Sequence, residues 1–461
     1  MVEYKIRIER TKKQIKKNIL LHNFEVALAM ISSLADSLYY SNQYYTDNDL
    51  ENYLLIIQEQ LKPDLKHGIG EKDQARKNTV LFYDGFGLNQ RGLAYIYLHA
   101  LSRFGYRLVY VVNKNLISNI PDIVALIDSC GGRIEGIDCS ACCTHYKKLY
   151  ELFYRYNPFS AFLYTTPYDV AGVMAFNQMK GVVNRYQINL TDHAFWLGVN
   201  AFDYCLEFRN YGACLSHQYR GIALEKLLYQ PFYPVINTNI SFQGFPFEKK
   251  DGDFVLFSGG FLYKTIDDDL IYYRIIEYLL LKYPQIVFWY AGYGNNKELE
   301  PLRDLLAKFP QRVFYTVERK DLFQILENVD MYINTYPVGG GLMIQYSAMA
   351  GKPPFSFSKT GNNCDILFGI NALQVEATDI DEFVRFIDDY MNKRAYQGEY
   401  TERLKSSVIS EKEFIENLWY IMTRRISAYA VSMDDISGIL QMEQRDFWQR
   451  FVSRYSNIDE Q

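Results

Sequence analysis

Three consecutive glycines, Gly339, Gly340 and Gly341, follow a short apolar run at 331–335 and precede an apolar run at 342–350 that reads as a helix. Glycine lets a ligand approach backbone N–H groups closely. The first turn of a helix adds N–H groups without intrahelical partners and a partial positive charge. Together they suit an anion of phosphate size; a tight turn that simply needs glycine is the plainer use of the same residues. Gly351 fits the cap at the far end of that helix, and Pro353-Pro354 the stop beyond it. A second group able to do chemistry is Thr191-Asp192-His193, placed directly after another apolar run. Histidine exchanges a proton near neutral pH, and a carboxylate does so once desolvation raises its pKa. Asp192, His193 and Asp84 are therefore candidate bases, although each residue type also caps helices and orders loops.

The elements that must position these groups alternate. Strands are predicted over 79–83, 107–112, 133–137, 161–165, 185–190 and 202–208, with helices over 91–104 and 120–130. Strands separated by helices imply parallel βαβ units in a doubly wound α/β sheet, whose ligands bind beyond the carboxyl ends of the strands. That rule marks 84–89, 165–168 and 191–198 as one rim. Periodicity lapses over 231–252, where Pro, Asn and Gly gather, and a second α/β unit follows. Its strands are predicted over 254–258, 286–291 and 313–315 and its helices over 267–282, 299–308 and 320–326, leading into the glycine stretch. Gly259-Gly260 and Gly292-Tyr293-Gly294 read as turns at strand ends, and 380–391 and 411–429 as amphipathic helices. Residues 1–72 form three helical patterns, a small appendage joined by a polar linker at 66–78.

A chain of 461 residues suggests two domains plus an appendage, and a net charge of -5 gives no overall attraction to nucleic acid. The N-terminus lacks the apolar core of a secretory signal, and no run is long enough to span a bilayer, so a cytoplasmic location is expected. The basic face of the first helix admits two readings, a solvated face and peripheral attachment to the anionic inner face of the cell membrane. Cys139, Cys142 and Cys143 cluster beside His145 and, with Cys130, could be written as a zinc site. The irregular spacing favours reduced, partly buried thiols instead, and no metal is expected.

The strand, the Gly-Gly-Gly turn, the apolar helix and Ala-Met-Ala-Gly-Lys-Pro (348–353) resemble the donor-binding segment of GT-B-fold nucleotide-sugar glycosyltransferases. The resemblance is clearest over 254–355 and looser over 78–212. Gly339 and Ser347 stand where some members carry carboxylates, so the segment is closer to the inverting, O-GlcNAc-transferase-like branch. The resemblance implies two Rossmann-like domains facing a cleft, with an acceptor domain over 79–235, a donor domain over 250–405, and helices over 406–461 crossing back to the first domain. It further implies hexosyl or N-acetylhexosaminyl transfer from a nucleotide-sugar, UDP-linked by default, to a bacterial glycan precursor or a protein. No cofactor is expected beyond this co-substrate. Ser258, Gly259, Gly260, Gly292, Thr335, Tyr336, Gly339, Gly340, Gly341 and Leu342 would hold the donor, with Val317 and Arg319 near the base. Lys264 would stabilise the charge on the leaving diphosphate. His193 or Asp192 would take the acceptor proton, and Asp84, Phe86, Gly87 and Trp196 would line the acceptor site. Glu207 and Arg209 are expected to form a structural ion pair. Two alternatives on the same fold are a nucleotide-sugar epimerase and a non-catalytic subunit that positions a partner glycosyltransferase.

Overall fold

The computed structural model describes residues 1–63, 78–88, 93–237, 239–392 and 397–456. Most of the stretch read as a linker, Asn89 at the end of the first rim loop, and Arg91 at the expected helix start lie outside the described residues.

The chain divides into two compact units, Tyr233–Glu411 and the remainder, so the residues from Lys412 onward belong with Met1–Phe232. The first unit opens with α1 (Val2–Leu20), α2 (Phe24–Ser41) and α3 (Asn48–Leu61). Then come β1 (Thr79–Asp84), α4 (Ala94–Arg103), β2 (Arg107–Asn113), α5 (Pro121–Ser129), β3 (Arg133–Ile137), α6 (Cys142–Tyr156), β4 (Ser160–Tyr164) and α7 (Val170–Gln178). β5 (Asn184–Ile188), β6 (Tyr204–Glu207), α8 (Asn210–Gln218) and β7 (Leu227–Tyr229) complete its sheet. The second unit holds β8 (Phe254–Phe261), α9 (Ile271–Lys282), β9 (Ile286–Tyr293), α10 (Asn296–Lys308), β10 (Val313–Thr316), α11 (Leu322–Asn328) and β11 (Met331–Ile333). It continues with α12 (Gly341–Met349), β12 (Pro354–Phe357), α13 (Ile370–Leu373), β13 (Glu376–Ala377), α14 (Ile380–Asn392) and α15 (Gln397–Ser406). α16 (Glu411–Arg424) and α17 (Ser437–Ser456) follow.

Both sheets are parallel throughout, in the orders β3-β2-β1-β4-β5-β6-β7 and β10-β9-β8-β11-β12-β13. Each order reverses once, between β1 and β4 and between β8 and β11. A doubly wound sheet offers a crevice at the carboxyl ends of such a strand pair. The central strands are buried along their whole length, as in β1, because helices cover both faces.

The three N-terminal helices do not stand apart as an appendage. Ile15, Ile31, Leu54 and Ile57 share one apolar cluster with Leu81, Tyr146, Val173 and Phe176 of the first unit's own strand and helices. Lys12 joins α1 to the start of α3 through Asp47 at 2.6 Å and Asp49 at 3.0 Å. The buried carboxyl of Glu51 in α3 accepts the Gly198 N–H at 2.7 Å, five residues beyond His193. Desolvation pushes this carboxyl up to about 7, against a lowering by the Gly198 and Val199 N–H groups.

β8 and β9 run through the glycines expected to form turns, because Gly259 pairs with Ala291, Gly260 with Gly292 and Phe261 with Tyr293. Gly292 is required there: a Cβ would lie 1.8 Å from the carbonyl oxygen of Gly260.

Candidate active site

In the second unit the two strands at the reversal end in the segments richest in candidate residues. β8 leads through Ser258, Gly259 and Gly260 into a short 3₁₀ turn, Leu262–Thr265, that carries Lys264. β11 leads through Asn334 and Thr335 into the glycines and α12. The ends are linked: the Val338 N–H donates to the Lys264 carbonyl at 3.3 Å. The Ser258 hydroxyl donates to the Ile333 carbonyl, which takes up Ser258 in joining the strands rather than in meeting a ligand. Thr335 closes the next turn by donating its hydroxyl to the Val338 carbonyl at 2.6 Å.

Asn334 holds the glycine turn from below. Its buried amide accepts the Gly340 N–H at 2.9 Å and donates to Ser356 Oγ at 3.2 Å. A Cβ at Gly339 would meet that amide nitrogen at 2.8 Å, so glycine there is a packing requirement. Gly340 and Gly341 differ, since a Cβ would find its nearest neighbours at 3.8 Å and 3.5 Å. The first helical hydrogen bond runs from the Ile344 N–H to the Gly340 carbonyl. The N–H groups of Gly341, Leu342 and Met343 precede it, and no side chain caps them. These donors carry the positive end of the α12 dipole. On the adjoining turn Lys264 is half-buried, its ammonium has no ion-pair or hydrogen-bond partner among the described residues, and desolvation lowers its pKa. A half-desolvated cation without a partner among the described residues, on a turn bonded to the one that leads into uncapped N–H donors, suits an anion that supplies the missing charge.

The remaining donor-side candidates separate. Tyr336 is largely buried against the Phe357 ring, 5.0 Å between centroids, and Leu342 is half-buried at the helix start. Val317 is exposed just beyond β10. Arg319 is not available to a ligand. Its guanidinium donates to Asp321 at 2.7 and 2.6 Å and to the Gly244 carbonyl at 3.1 Å, and it lies over the Trp289 ring.

In the first unit the structure removes most acceptor-side candidates. The buried Asp84 carboxylate accepts the Phe86 and Gly87 N–H groups at 2.9 and 2.8 Å and the Tyr110 hydroxyl at 2.6 Å. It orders its own loop, and Gly87 has the positive φ of 60° that this loop requires. Phe86 is half-buried, its ring 4.7 Å from that of Tyr164. Trp196 is only 2% exposed and lies beneath the buried Arg220 guanidinium, so it offers no open platform. Asp192 is 1% exposed and takes Arg209 in a two-pronged pair at 2.6 and 2.9 Å. Burial alone would raise its pKa. The Arg209 charge and hydrogen bonds outweigh that and hold it well below the usual carboxylate range, which removes Asp192 as a base near neutrality. Arg209 thus forms its ion pair with Asp192, and among the described residues Glu207 accepts from Asn189 and Ser216.

His193 remains. Its side chain is 32% exposed, with Nδ1 3.6 Å from Asp192 Oδ1, and its ring sits between Tyr39 of α2 and Phe447 of α17. Neither neighbour was visible in the sequence, because both come from helices far along the chain. Asn334 was also missed, although a polar residue between a strand and a glycine turn is a signal that could have found it.

The cysteine cluster is ordered by ordinary bonds. Glu25 accepts the N–H groups of Cys142 and Cys143 at the start of α6, and Cys139 Sγ lies 3.7 Å from His145 Nε2. Burial raises the Cys139 and Cys143 thiols to about 12 and Cys142 to about 11. Among the described residues no group of three or more His, Cys, Asp or Glu is arranged to hold a metal ion.

No protein-family model and no curated protein matches the chain. Solved structures do. An O-GlcNAc transferase mutant from Thermobaculum terrenum is similar at 15% identity and a TM-score of 0.53, over 96% of this chain and 83% of that one. The Anabaena protein Alr3699/HepE in complex with UDP is similar at 12% identity and a TM-score of 0.53, over 75% and 99%. The UDP-GlcNAc 2-epimerase of Neisseria meningitidis bound to UDP-GlcNAc is similar at 12% identity and a TM-score of 0.51, over 74% and 99%. With two parallel doubly wound units and these likenesses, the chain has the GT-B fold.

Proposed function

We propose that the chain is a glycosyltransferase that moves a sugar from a UDP-sugar to a glycan or protein acceptor, with inversion and without a metal. The observation that carries this reading is the joining, through the Val338–Lys264 main-chain bond, of the uncapped start of α12 to a turn whose Lys264 ammonium has no partner among the described residues. A leaving nucleoside diphosphate develops negative charge as the sugar departs. A desolvated cation and fixed N–H dipoles stabilise that charge more than they stabilise the bound donor. UDP and UDP-GlcNAc in two of the similar structures support the choice of nucleotide.

Transfer to a hydroxyl or amide also requires a proton acceptor. Of the three groups considered in the first unit, His193 alone keeps part of its side chain exposed, since Asp84 and Asp192 are buried and taken up by the fold. His193 is therefore the proposed general base. The discriminating experiment is a screen of nucleotide-sugars for binding by calorimetry and for turnover with and without acceptor. UDP-sugar binding with release of UDP supports the transferase. Binding accompanied only by an altered sugar configuration would replace it with an epimerase.

A further inference from the structure

α1 buries Ile8, Ile15 and Ile19 on one side. With about 3.6 residues per turn, the opposite side carries Val2, Ile6, Arg10, Lys13, Lys17 and Leu20 in one stripe, flanked by Lys5, Arg7 and Lys16. All of these side chains are exposed. The helix holds seven basic residues against two acidic ones, in a chain whose net charge is -5. Lys12 alone of the seven is engaged, by Asp47, Asp49 and, at 3.8 Å, Glu9; the other six have no ion-pair partner among the described residues.

The apolar members of the stripe decide what kind of partner it fits. Val2 is 74% exposed and Ile6 47% at one end; Leu20 is 72% and Leu21 58% exposed at the other, where the chain turns into α2. Val26 is exposed one turn further on. Large apolar side chains held in water gain nothing from a purely charged partner, whereas a bilayer interface accepts them beside cations that meet anionic headgroups. No helix of the described residues is long and apolar enough to cross a membrane, so the contact would be a surface one.

We propose that the outer stripe of α1, with the Leu20-Leu21 tip, docks on an anionic lipid bilayer. The inference is independent of the donor-site reading and stands or falls separately from it. Each cation near an anionic surface contributes, and three removed together lower affinity by roughly a hundredfold before counting reversed charge.

The test is co-sedimentation of the full chain with vesicles of phosphatidylcholine alone and of phosphatidylcholine mixed with phosphatidylglycerol, across a salt series. The wild type is expected to pellet only with the mixed vesicles and to be released by salt. K13E/K16E/K17E should bind at least about a hundredfold more weakly, and L20S/L21S should bind detectably more weakly at low salt. The melting of both variants should match the wild type, since none of these side chains is buried. A wild type that stays in solution with mixed vesicles overturns the proposal without any variant. Unchanged binding by K13E/K16E/K17E overturns it too. Equal capture by duplex DNA, with L20S/L21S unaffected, would replace the bilayer with a simple polyanion.

Discussion

The main-chain N–H of Val338 donates to the carbonyl of Lys264 at 3.3 Å. This bond fixes the turn after β8 against the turn after β11, and so sets a lysine and a glycine-rich helix start side by side from strands adjacent in the sheet. Lys264 and Gly340 can therefore be probed as two halves of the proposed anion site.

Gly340→Val should abolish UDP binding and leave thermal unfolding unchanged, since a Cβ at Gly340 has its nearest neighbour at 3.8 Å. Gly339→Ala should lose both, because its Cβ would meet Asn334 at 2.8 Å. Lys264→Ala should lower kcat by about 10²–10³ while changing the Kd of the UDP-sugar much less, because the ammonium acts on charge that appears only as UDP leaves. The pH dependence follows from desolvation lowering the Lys264 pKa. The cation exists below that depressed pKa, so UDP affinity should fall as pH rises through it and stay level in Lys264→Ala. Calorimetry across pH measures this; a wild type and variant with parallel profiles would remove Lys264 from the site.

Turnover should survive excess EDTA, because in the proposed site Lys264 and the helix start would provide the charge that a divalent ion otherwise brings to a diphosphate. Loss of turnover with chelator and recovery with manganese would assign that charge to a metal.

His193→Ala should lose transfer by about 10²–10⁴ and keep its UDP affinity, as expected for loss of a general base. Asp192→Asn acts differently. It removes the partner of the half-buried Arg209, so its main effect should be on stability, on the order of 3–5 kcal/mol for one member of a buried pair. Measuring both melting and transfer separates the two. Wild-type transfer by a folded His193→Ala would move the base elsewhere.

Glu51 gives the first unit a pH-dependent stability. Burial raises its folded pKa to about 7 from the ordinary glutamate value of 4.5, so folding favours the protonated form. That contribution is complete below the unfolded value and lost as pH rises through the folded one, amounting to ~3 kcal/mol across the window. Glu51→Gln keeps an acceptor for the Gly198 N–H and carries no charge. It should melt above the wild type at pH 8 and close to it at pH 4, as differential scanning fluorimetry would report.

Alternating apolar runs made the parallel strands legible, because burial on both faces writes itself into β-branched and aromatic runs such as 79–84. The glycines at the ends of β8 and β9 misled, since local turn propensity yields when two strands pair through Gly260 and Gly292. β12 was hidden for a related reason: Pro353-Pro354 reads as a stop, yet Pro354 pairs with Tyr332 in the sheet. In the proposed donor site chemistry and sequence neighbourhood coincide, since Lys264 and the glycines at 339–341 lie just beyond the ends of β8 and β11. On the other side they do not. Asp192 has its partner Arg209 after the next strand, and Arg220 reaches the Trp196 ring from further still. Such pairings are tertiary, and no spacing rule announces them.

The division of the chain has a consequence for its synthesis. Tyr233–Glu411 is one uninterrupted stretch, whereas the first unit is assembled from residues on both sides of it. Emerging from the ribosome, the second unit can close while the first still lacks the α16 residues Leu418 and Ile421, Ile436 just before α17, and Leu440 within α17, all buried in the finished protein. The ring of Phe447 that flanks His193 arrives with that final segment. The half of the chain made first is thus the half completed last, and until then its proposed base has only one of its two aromatic neighbours.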